Sequence, residues 1–491
     1  MTGRSPARPP PDPAARRRTR LGLGVAALVL FALLRGVLWA FLVPPLDAPD
    51  EPSHLIAVAQ IRTIRGLPVA KLVDPNTLSA DSTERPPALL AYLAHYQYTR
   101  FRALSYESTQ PPLYYLLCAV LTRPLPDDPA TLLYGCRLVS ALLGALTVFA
   151  AARAAATLAP DRPAFALGVP LALVLWPQVG FQSATVTNDI GLDLAGAALA
   201  WAWASALRAR DGGRGVRWPL VLGALTGLGL LTKLTVLATL PATGLVLLGR
   251  LLLARGTDAA PGPVRRLARP LLRDALLAGG SAALLVGPWL LRNLAIYGEP
   301  TGAAQMFGVI RGIYTTRLGL PAGTRIIVPP LDQLIWHSFS SFWAVFGWRG
   351  VYLPSPLPAP PSGADGLAAF LAAPLYWVAA LVMGLGVAGA LAWQARRRTA
   401  GPLPAALRWT LAAYALTAAA ALVGYVLYTL TTDASLQGRY TFVALVPFAV
   451  IGVGGVLHAT RSAQLNRRIA VLSLAGLLVL HLAAWAVIGR P

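Results

Sequence analysis

The apolar residues of this chain are gathered into long runs that alternate with short polar segments. A helix needs about 20 apolar residues to cross a bilayer, and eleven runs approach or exceed that length. The pattern therefore predicts an all-α polytopic membrane protein with about 11–13 transmembrane helices. The runs are 21–43, 131–152, 164–186, 188–207, 218–233, 236–254, 274–296, 367–394, 405–430, 440–459 and 469–488.

Composition excludes a soluble globular domain. Of the 491 residues, 56% are hydrophobic and 13% are charged, whereas soluble proteins have about 25% charged residues. The net charge of +22 reflects 42 basic and 20 acidic residues. Basic cytoplasmic loops explain this excess, so we expect membrane lipids and no nucleic acid as partners. The two cysteines, Cys118 and Cys136, have neither zinc-site spacing nor a disulfide framework.

Basic residues indicate which helix ends face the cytoplasm. Residues 1–20 are rich in Pro and Arg and are predicted to be a disordered cytoplasmic tail, whereas the run 21–43 is predicted to be a retained first helix. Four arginine clusters separate later runs, which makes those segments cytoplasmic and leaves 44–110, 297–366 and 431–437 outside. The clusters are Arg208, Arg210, Arg214 and Arg217; Arg250, Arg255, Arg265, Arg266, Arg269 and Arg273; Arg396, Arg397, Arg398 and Arg408; and Arg461, Arg467 and Arg468.

The short apolar run 111–123 has two interpretations. Its length of about 13 residues is too small for a crossing. If it is a re-entrant or interfacial helix, Arg153 lies inside and Asn188 and Asp189 lie outside. If it crosses fully, those two sides are exchanged. We favour the first interpretation.

Asp50 and Glu51 lie directly after the first predicted helix. Pro49 and Pro52 flank them, and because proline fixes φ, the two carboxylates are held on a stiff turn. Adjacent carboxylates at a membrane boundary can act as a general base and as a metal or orienting ligand, and His54 can relay a proton. The alternative is an acidic patch that solvates one helix end and caps the next helix.

A second polar segment, containing Glu107 and Gln110, precedes a double proline that begins a helix. This arrangement presents both side chains at the outer rim. The alternative without function is that the prolines only end a loop, while Tyr114 and Tyr115 belong to an interfacial aromatic belt.

A third polar segment, containing Asn188 and Asp189, interrupts two apolar runs. An Asx turn or a helix cap explains this pair without function. Asp193 follows one turn later inside the next predicted span, where an ionisable side chain is costly and needs a partner.

Three isolated cations, Lys233, Arg292 and Arg439, occupy predicted outer ends of helices, and Gln437 and Tyr440 flank the last of them. Such residues usually extend along the membrane surface. Cations on the outer side nevertheless oppose the usual positive-inside bias, and they suit an anionic ligand, since Arg matches phosphate with two hydrogen bonds. A transporter would place such groups nearer the midplane.

Five short motifs follow one another in a fixed order. They are 49–54 (Pro-Asp-Glu-Pro-Ser-His), 110–115 (Gln-Pro-Pro-Leu-Tyr-Tyr), 188–189 (Asn-Asp), 289–293 (Trp-Leu-Leu-Arg-Asn) with 297–298 (Tyr-Gly), and 437–440 (Gln-Gly-Arg-Tyr). Over residues 21–450 they resemble bacterial GT-C membrane glycosyltransferases of the protein O-mannosyltransferase and aminoarabinose-transferase type. The similarity is greatest to an uncharacterised family of membrane proteins with a Pro-Asp-Glu-Pro-x-His motif.

The resemblance implies transfer of a hexosyl or pentosyl group, with inversion, from a polyprenyl-phosphate donor to a hydroxyl of a glycan, lipid or protein on the outer face of the plasma (inner) membrane. A cytoplasmic Gly-rich phosphate loop, which a nucleotide-sugar donor would favour, is not found in the sequence. The resemblance makes Asp50 the catalytic base, with Glu51 and Asp189 as further catalytic residues. A divalent cation is the one cofactor left open, with Asp50 and Asp189 as its candidate ligands. The implied substrate-binding residues are His54, Glu107, Gln110, Asn188, Lys233, Arg292, Gln437, Arg439 and Tyr440.

The resemblance also predicts a division of the chain into four parts, with short helices in the first outer loop. Two other functions stay open: a transporter or flippase for lipid-linked saccharides, and a non-catalytic relative that binds a lipid-linked sugar or a partner enzyme. The parts are the cytoplasmic tail 1–20, a GT-C-like catalytic core 21–300 that includes outer loop 44–110, a second outer loop 301–366, and the C-terminal transmembrane helices 367–491.

Overall fold

Helices form nearly all of the regular structure in the computed structural model. The described residues are 13–69, 87–96, 106–209, 211, 215–255, 265–304, 331–347, 351–355, 366–397, 402–431 and 436–489. Their α-helices are α1 (Pro13–Leu42), α2 (Glu51–Ile64), α3 (Pro87–His95), α4 (Leu113–Leu121), α5 (Pro129–Leu158), α6 (Pro163–Leu175), α7 (Pro177–Gln182), α8 (Asp189–Arg208), α9 (Arg217–Leu230), α10 (Leu240–Arg255), α11 (Arg265–Tyr297), α12 (Leu331–Trp343), α13 (Leu367–Leu371), α14 (Pro374–Arg397), α15 (Ala405–Thr431), α16 (Leu445–Leu457) and α17 (Ala463–Trp485).

Short 3-10 helices and one small hairpin complete these described segments. The antiparallel strands β1 (Val345–Phe346) and β2 (Val351–Tyr352) pair Val345 with Tyr352 and Phe346 with Val351. With α12 they occupy the predicted second outer loop, of which residues 305–330, 348–350 and 356–365 lie outside the description. The 3-10 helices are Tyr106–Thr109, Leu234–Thr239 and Gly438–Ala444.

Nine helices of the described chain are long and apolar enough to cross a membrane. Two predicted runs form the shorter helices α6 and α9. These observations confirm the prediction of an all-α polytopic membrane protein. The nine spans are Arg16–Leu42, Pro129–Leu158, Asp189–Arg208, Leu234–Ala254, Leu267–Tyr297, Pro374–Arg397, Ala405–Leu430, Gly438–Leu457 and Ala463–Trp485.

Contacts between helix ends show two distinct ends of the bundle. At one end the backbone N–H of Val186, before α8, donates to Glu51 at the start of α2; we call this the Glu51 end. At the other end Arg208, on the last turn of α8, donates to the Leu158 carbonyl at 2.9 Å; we call this the Arg208 end. Arg396, at the end of α14, donates to the Ala459 carbonyl at 3.0 Å. The basic segment after α14 therefore contacts the basic segment between α16 and α17.

The run 111–123 forms α4, a helix of 9 residues that is too short to cross a bilayer. The Leu113 N–H donates to the Leu231 carbonyl at 2.8 Å, which ties the start of α4 to the end of α9. Asp189 consequently lies at the same end of the bundle as Glu51. This is the arrangement expected when the segment does not cross.

Two predicted boundaries differ from the structure. Helix α1 begins at Pro13, so residues 13–20 are helical and not a disordered tail; arginine is a good helix former and extends the apolar helix beyond its core. Residues 1–12 lie outside the described chain. The run 164–186 divides into α6 and α7 at Trp176, whose extended backbone precedes Pro177, because the residue before a proline is disfavoured in helical conformation.

Glycines bring the helices around the Glu51 end into close contact. A Cβ on Gly144 of α5 would lie 2.5 Å from the Ser183 Cβ, and a Cβ on Gly196 of α8 would lie 2.3 Å from the Val443 carbonyl oxygen. Small residues allow membrane helices to pack backbone against backbone. The contact at Gly196 holds the 3-10 helix Gly438–Ala444 against α8, and so places Arg439 close to Asp189.

Candidate active site

Glu51 forms a closed ion pair with Arg137 of α5. Arg137 donates from Nε to Oε1 at 2.9 Å and from Nη2 to Oε2 at 2.7 Å, and both side chains are 0% exposed. The Val186 N–H adds a third hydrogen bond to Oε1 at 2.8 Å. Glu51 therefore does not solvate a helix end, and its carboxylate is committed to joining α2, α5 and the segment before α8. Its predicted catalytic role stays a prediction.

Asp50 differs from its neighbour Glu51 in both backbone and environment. Its φ is 61°, in the left-handed region that a non-glycine residue rarely adopts. It stands at the N-cap of α2 but makes no side-chain capping hydrogen bond, and it is only partly buried. Capping therefore does not explain this residue. A non-glycine residue in this region costs about 1–3 kcal/mol and is kept there by the surrounding structure; Leu46 and Arg65 also have positive φ.

Asp189 lies between two cations that come from different parts of the chain. Lys233, just before the 3-10 helix Leu234–Thr239, donates to Asp189 Oδ1, and Arg439 Nε lies 3.6 Å from Oδ2. The Lys233 side chain is 19% exposed, whereas those of Asp189 and Arg439 are 3% and 5% exposed. The structure thus brings together three predicted site residues, and one of the cations has access to a ligand.

Gln437 and Tyr440 support the two cations. The Gln437 Oε1 accepts a hydrogen bond from Arg439 Nε at 2.6 Å. The Tyr440 ring centroid lies 5.0 Å from Lys233 Nζ and 5.8 Å from the Arg439 guanidinium carbon, within the range of cation–π attraction. These contacts limit the positions that both cations can adopt.

His54, Glu107 and Tyr115 form a buried group beside this cluster. The Tyr115 hydroxyl donates to Glu107 Oε2 at 2.6 Å and lies 2.8 Å from His54 Nδ1. Burial, together with the nearby Asp50 carboxylate, raises the pKa of Glu107 to about 8. Burial, together with the charge of Lys233, lowers the pKa of His54 to about 3. At neutral pH this group therefore holds a proton on Glu107 and a neutral imidazole.

The remaining predicted residues lie around the cluster. Asn188 stands at the N-cap of α8 without a side-chain capping bond, and its Nδ2 is 3.5 Å from the Thr232 carbonyl. Gln110 donates its N–H to the Glu107 carbonyl at 3.0 Å. Arg292 lies apart from Asp189, and its Nη2 donates to the Leu67 and Pro68 carbonyls at 2.9 and 2.8 Å.

The residues around Asp189 do not fit a divalent cation. Within the described segments no three or more His, Cys, Asp or Glu side chains form a group that could hold a metal ion. The two Asp189 oxygens already face Lys233 and Arg439, so a divalent cation there would meet two positive charges. Asp193, one turn further along α8, is buried, and its carboxylate has no hydrogen-bond partner in the described chain.

Sequence reasoning missed Arg137, Tyr114 and Tyr115. Both tyrosines are buried, not part of an interfacial belt, and the Tyr114 hydroxyl lies 2.8 Å from Ser140 Oγ and accepts from the Thr187 N–H at 3.1 Å. The position of the two tyrosines directly after a double proline could have indicated a site, but it is equally typical of an interfacial aromatic belt. Arg137, as a cation inside an apolar run, was the clearer signal.

This chain is similar to a family model and to solved membrane-protein structures. A family model described as dolichyl-phosphate-mannose-protein mannosyltransferase matches residues 109–257, and no curated protein sequence matches. The crystal structure of the apo oligosaccharyltransferase of Archaeoglobus fulgidus aligns with a TM-score of 0.53 and 13% identity, over 95% of this chain and 56% of that one. The same enzyme tethered with an acceptor peptide gives the same values. ArnT from Cupriavidus metallidurans, bound to undecaprenyl phosphate, aligns with a TM-score of 0.48 and 16% identity, over 88% of this chain and 60% of that one.

The likeness to the oligosaccharyltransferase is one of fold, since identity is 13% and this chain spans just over half of that protein's length. The region matched by the family model runs from the start of α4 to the end of α10 and includes Arg137, Asp189 and Lys233. This chain is therefore a multi-pass membrane protein with the GT-C type fold, the fold that the resemblance implied.

Proposed function

We propose that this protein is a membrane glycosyltransferase that moves a sugar from a polyprenyl-phosphate donor to an acceptor hydroxyl. The observation that carries the proposal is that a partly exposed, strained Asp50 and a cation pair around Asp189 lie at one end of the bundle, where the Val186 N–H joins their segments through Glu51. The matched family model is described by a dolichyl-phosphate-mannose donor, and the oligosaccharyltransferase with the same fold was crystallised with an acceptor peptide. Both support this class of reaction.

Asp50 is the proposed general base. It takes the proton of the acceptor hydroxyl while the oxygen forms a bond to the anomeric carbon of the sugar, on the face opposite the phosphate. The bond between that carbon and the phosphate oxygen breaks, and its electron pair leaves with the polyprenyl phosphate. One displacement inverts the anomeric centre. Glu51 is a poor base because Arg137 and Val186 occupy its oxygens.

Lys233 and Arg439 are proposed to bind the phosphate of the donor and to stabilise the charge that develops on it. Two positive charges beside a bound phosphate would neutralise the charge that develops on it as it departs, which is the largest electrostatic requirement of the reaction. Asp189 orients both cations before the donor binds. Because its oxygens face these cations, we propose that the transfer needs no divalent metal.

The Glu51 end is proposed to face the outside of the plasma (inner) membrane, with the N-terminus in the cytoplasm. The described basic residues Arg208, Arg250 and Arg396 lie at or near the opposite end, and basic segments are retained in the cytoplasm. Single cysteines introduced at exposed Arg123 and Arg461 test this orientation in intact cells. A membrane-impermeant maleimide is expected to label position 123 and not position 461, and the reverse result contradicts the proposal.

The test of the reaction is transfer of labelled sugar from a panel of polyprenyl-phosphate sugars by the purified protein in nanodiscs. Asp50→Asn is expected to lower transfer by about 10²–10⁴-fold while donor binding is retained. Asp127→Asn is the matched control, because Asp127 lies near the same end and its side chain is 91% exposed. Equal transfer by Asp50→Asn and wild type would exclude Asp50 as the base.

The same samples separate the alternatives. A flippase is indicated if no variant transfers sugar while wild-type protein moves the labelled donor between the leaflets of a vesicle. A non-catalytic relative is indicated if the donor binds and is neither transferred nor moved. Either outcome contradicts the proposed glycosyltransferase.

A further inference from the structure

A shallow cleft lies between the His54–Glu107–Tyr115 group and the C-terminal part of α11. Glu107, Gln110 and Tyr115 supply its polar side, while Ile61 and the buried ring of Trp289 supply part of its apolar side, and Arg292 also lines it. The cleft is separate from the cation pair of the proposed donor site, because neither Lys233 nor Arg439 lines it. A transfer reaction needs a site for each of its two substrates.

Arg292 gives the cleft a positive charge with a fixed position. Its Nη2 donates to the Leu67 and Pro68 carbonyls, and its Nη1 donates to Asn293 Oδ1 at 3.2 Å. In the described part of the chain no carboxylate lies within ion-pair distance of this guanidinium. Neutral acceptors orient the group but do not balance its charge, so an anion that enters the cleft gains a charge-assisted hydrogen bond.

Glu107 and Tyr115 join the cleft to the segment that carries Asp50. The Glu107 carboxyl group lines the cleft. The Tyr115 hydroxyl also lies 2.8 Å from Nδ1 of His54, and the His54 backbone N–H donates to the Asp50 carbonyl at 3.0 Å. The hydrogen bond from Tyr115, at 2.6 Å, holds the Glu107 side chain in place. A hydroxyl bound beside Glu107 is thus near Asp50, the proposed base.

We propose that this cleft binds the acceptor of the transfer, and that the acceptor is a membrane lipid with a phosphorylated, hydroxyl-bearing headgroup. Its phosphate pairs with Arg292, its hydroxyl lies beside Glu107 and its apolar part contacts Trp289 and Ile61. The inference rests on the proposed function and adds the acceptor class to it. The apolar side of the cleft and its place at the end of a membrane helix favour a lipid over a soluble phosphate compound.

The experiment measures binding, so that its result does not depend on transfer. Purified full-length protein is titrated in native mass spectrometry with phosphatidylglycerol, which has a phosphate and free hydroxyls, and with diacylglycerol, which has a free hydroxyl but no phosphate. The wild type is expected to bind phosphatidylglycerol about tenfold more tightly, equivalent to the loss of one charged contact.

Three variants locate the source of that preference. Arg292→Gln is expected to bind both lipids equally, whereas Arg292→Lys is expected to keep most of the preference because it keeps the charge. Arg123→Gln is the matched control, since Arg123 is an exposed arginine near the same end of the bundle. The inference is overturned if Arg292→Gln keeps the full preference, or if the wild type has none.

Two further measurements exclude related sites. Arg292→Gln is expected to bind polyprenyl phosphate as the wild type does; loss of that binding would assign Arg292 to the donor and overturn the inference. Glycerol 1-phosphate is expected to bind at least about tenfold more weakly than phosphatidylglycerol, and equal binding would point to a soluble acceptor instead. A failure of Asp50→Asn to alter transfer would contradict the proposed base but leave these binding results unaffected.

Discussion

Two ionic clusters lie at the same end of this bundle and are built from the same kinds of side chain. In the first, Glu51 and Arg137 are completely buried, and Glu51 has three hydrogen bonds. In the second, Asp189 faces Lys233 and Arg439, and Lys233 is partly exposed. The first cluster holds α2, α5 and the segment before α8 together, whereas the second contains one partly exposed cation, Lys233.

The two clusters differ in hydrogen-bond saturation and in exposure, and not in the kinds of side chain they contain. Breaking a buried ion pair leaves one uncompensated charge in a medium of low dielectric constant, and this is strongly destabilising. A cation with access to solvent or ligand is less costly to leave without its partner. Substitutions in the two clusters are therefore expected to affect different properties of the protein.

The largest effect is expected when the closed cluster is broken. Glu51→Gln or Arg137→Gln is expected to lower the free energy of unfolding by about 3–5 kcal/mol, which thermal unfolding of the detergent-purified protein measures. Asp127→Asn removes an exposed partner of Arg62 and is expected to cost at most about 1 kcal/mol. If Glu51→Gln unfolds like the wild type but loses transfer, the closed cluster takes part in the chemistry.

Substitutions in the open cluster are expected to affect rate more than stability. Lys233→Met and Arg439→Gln each remove positive charge from the proposed phosphate site and are expected to lower kcat for transfer by about 10²-fold. Steady-state kinetics with a labelled donor measure this loss, and unfolding temperatures are compared in parallel. Arg123→Gln serves as the control. Wild-type kcat in both variants would separate this cluster from the reaction.

The His54–Glu107–Tyr115 group predicts a pH dependence of stability. Folded Glu107 keeps its proton up to a pKa of about 8, compared with an ordinary value of 4.5, so between these values the folded state binds more protons and the free energy of unfolding falls as pH rises. His54, whose pKa is lowered from 6.5 to about 3, has the opposite effect between those two values. Above pH 6.5 only the contribution of Glu107 remains from this pair.

Unfolding measured at pH 6.5 and pH 8 isolates this contribution. The wild type is expected to lose on the order of 1 kcal/mol across this interval. Glu107→Gln has no proton to lose at either pH. Its free energy of unfolding is therefore expected to fall by about 1 kcal/mol less than that of the wild type. An equal pH dependence in the two proteins would show that Glu107 does not keep its proton at neutral pH.

The smallest effect is expected from metal removal. The Asp189 oxygens face Lys233 and Arg439, so treatment with EDTA is expected to change transfer by less than about twofold, a difference below 1 kcal/mol. Loss of transfer that Mg²⁺ or Mn²⁺ restores would instead support the predicted candidate ligands Asp50 and Asp189. It would also mean that the open cluster rearranges when a metal binds.

Much of the fold could be predicted because a membrane permits few structures. Backbone groups inside a bilayer must be satisfied within a helix or a closed barrel, so long apolar runs predict helices, and arginine clusters predict which of their ends lie together. The division of the run 164–186 at Trp176 and Pro177 was harder to predict from the sequence. A proline inside an apolar run either kinks or ends a helix, and packing selects between the two.

The site was predicted as a set of residues but not as an arrangement. Asp50 and Glu51 are adjacent carboxylates on one stiff turn, and sequence alone offers no way to tell them apart. Arg137, which commits Glu51 to packing, lies 86 residues further along the chain. Arg292 resembled the other outer cations in sequence, yet the structure directs it to the Leu67 and Pro68 carbonyls, away from Asp189.

By itself, the sequence determined that this protein is a helical membrane protein, how its two ends differ in charge, and which scarce polar residues lie near the ends of its helices. Those properties depend on local hydrophobicity and charge, which are read from neighbouring residues. Only the tertiary structure decided which carboxylate is buried with all its oxygens hydrogen-bonded, and which cations contact Asp189. Burial and hydrogen-bond saturation depend on contacts between residues far apart in the chain, and packing alone brings those residues together.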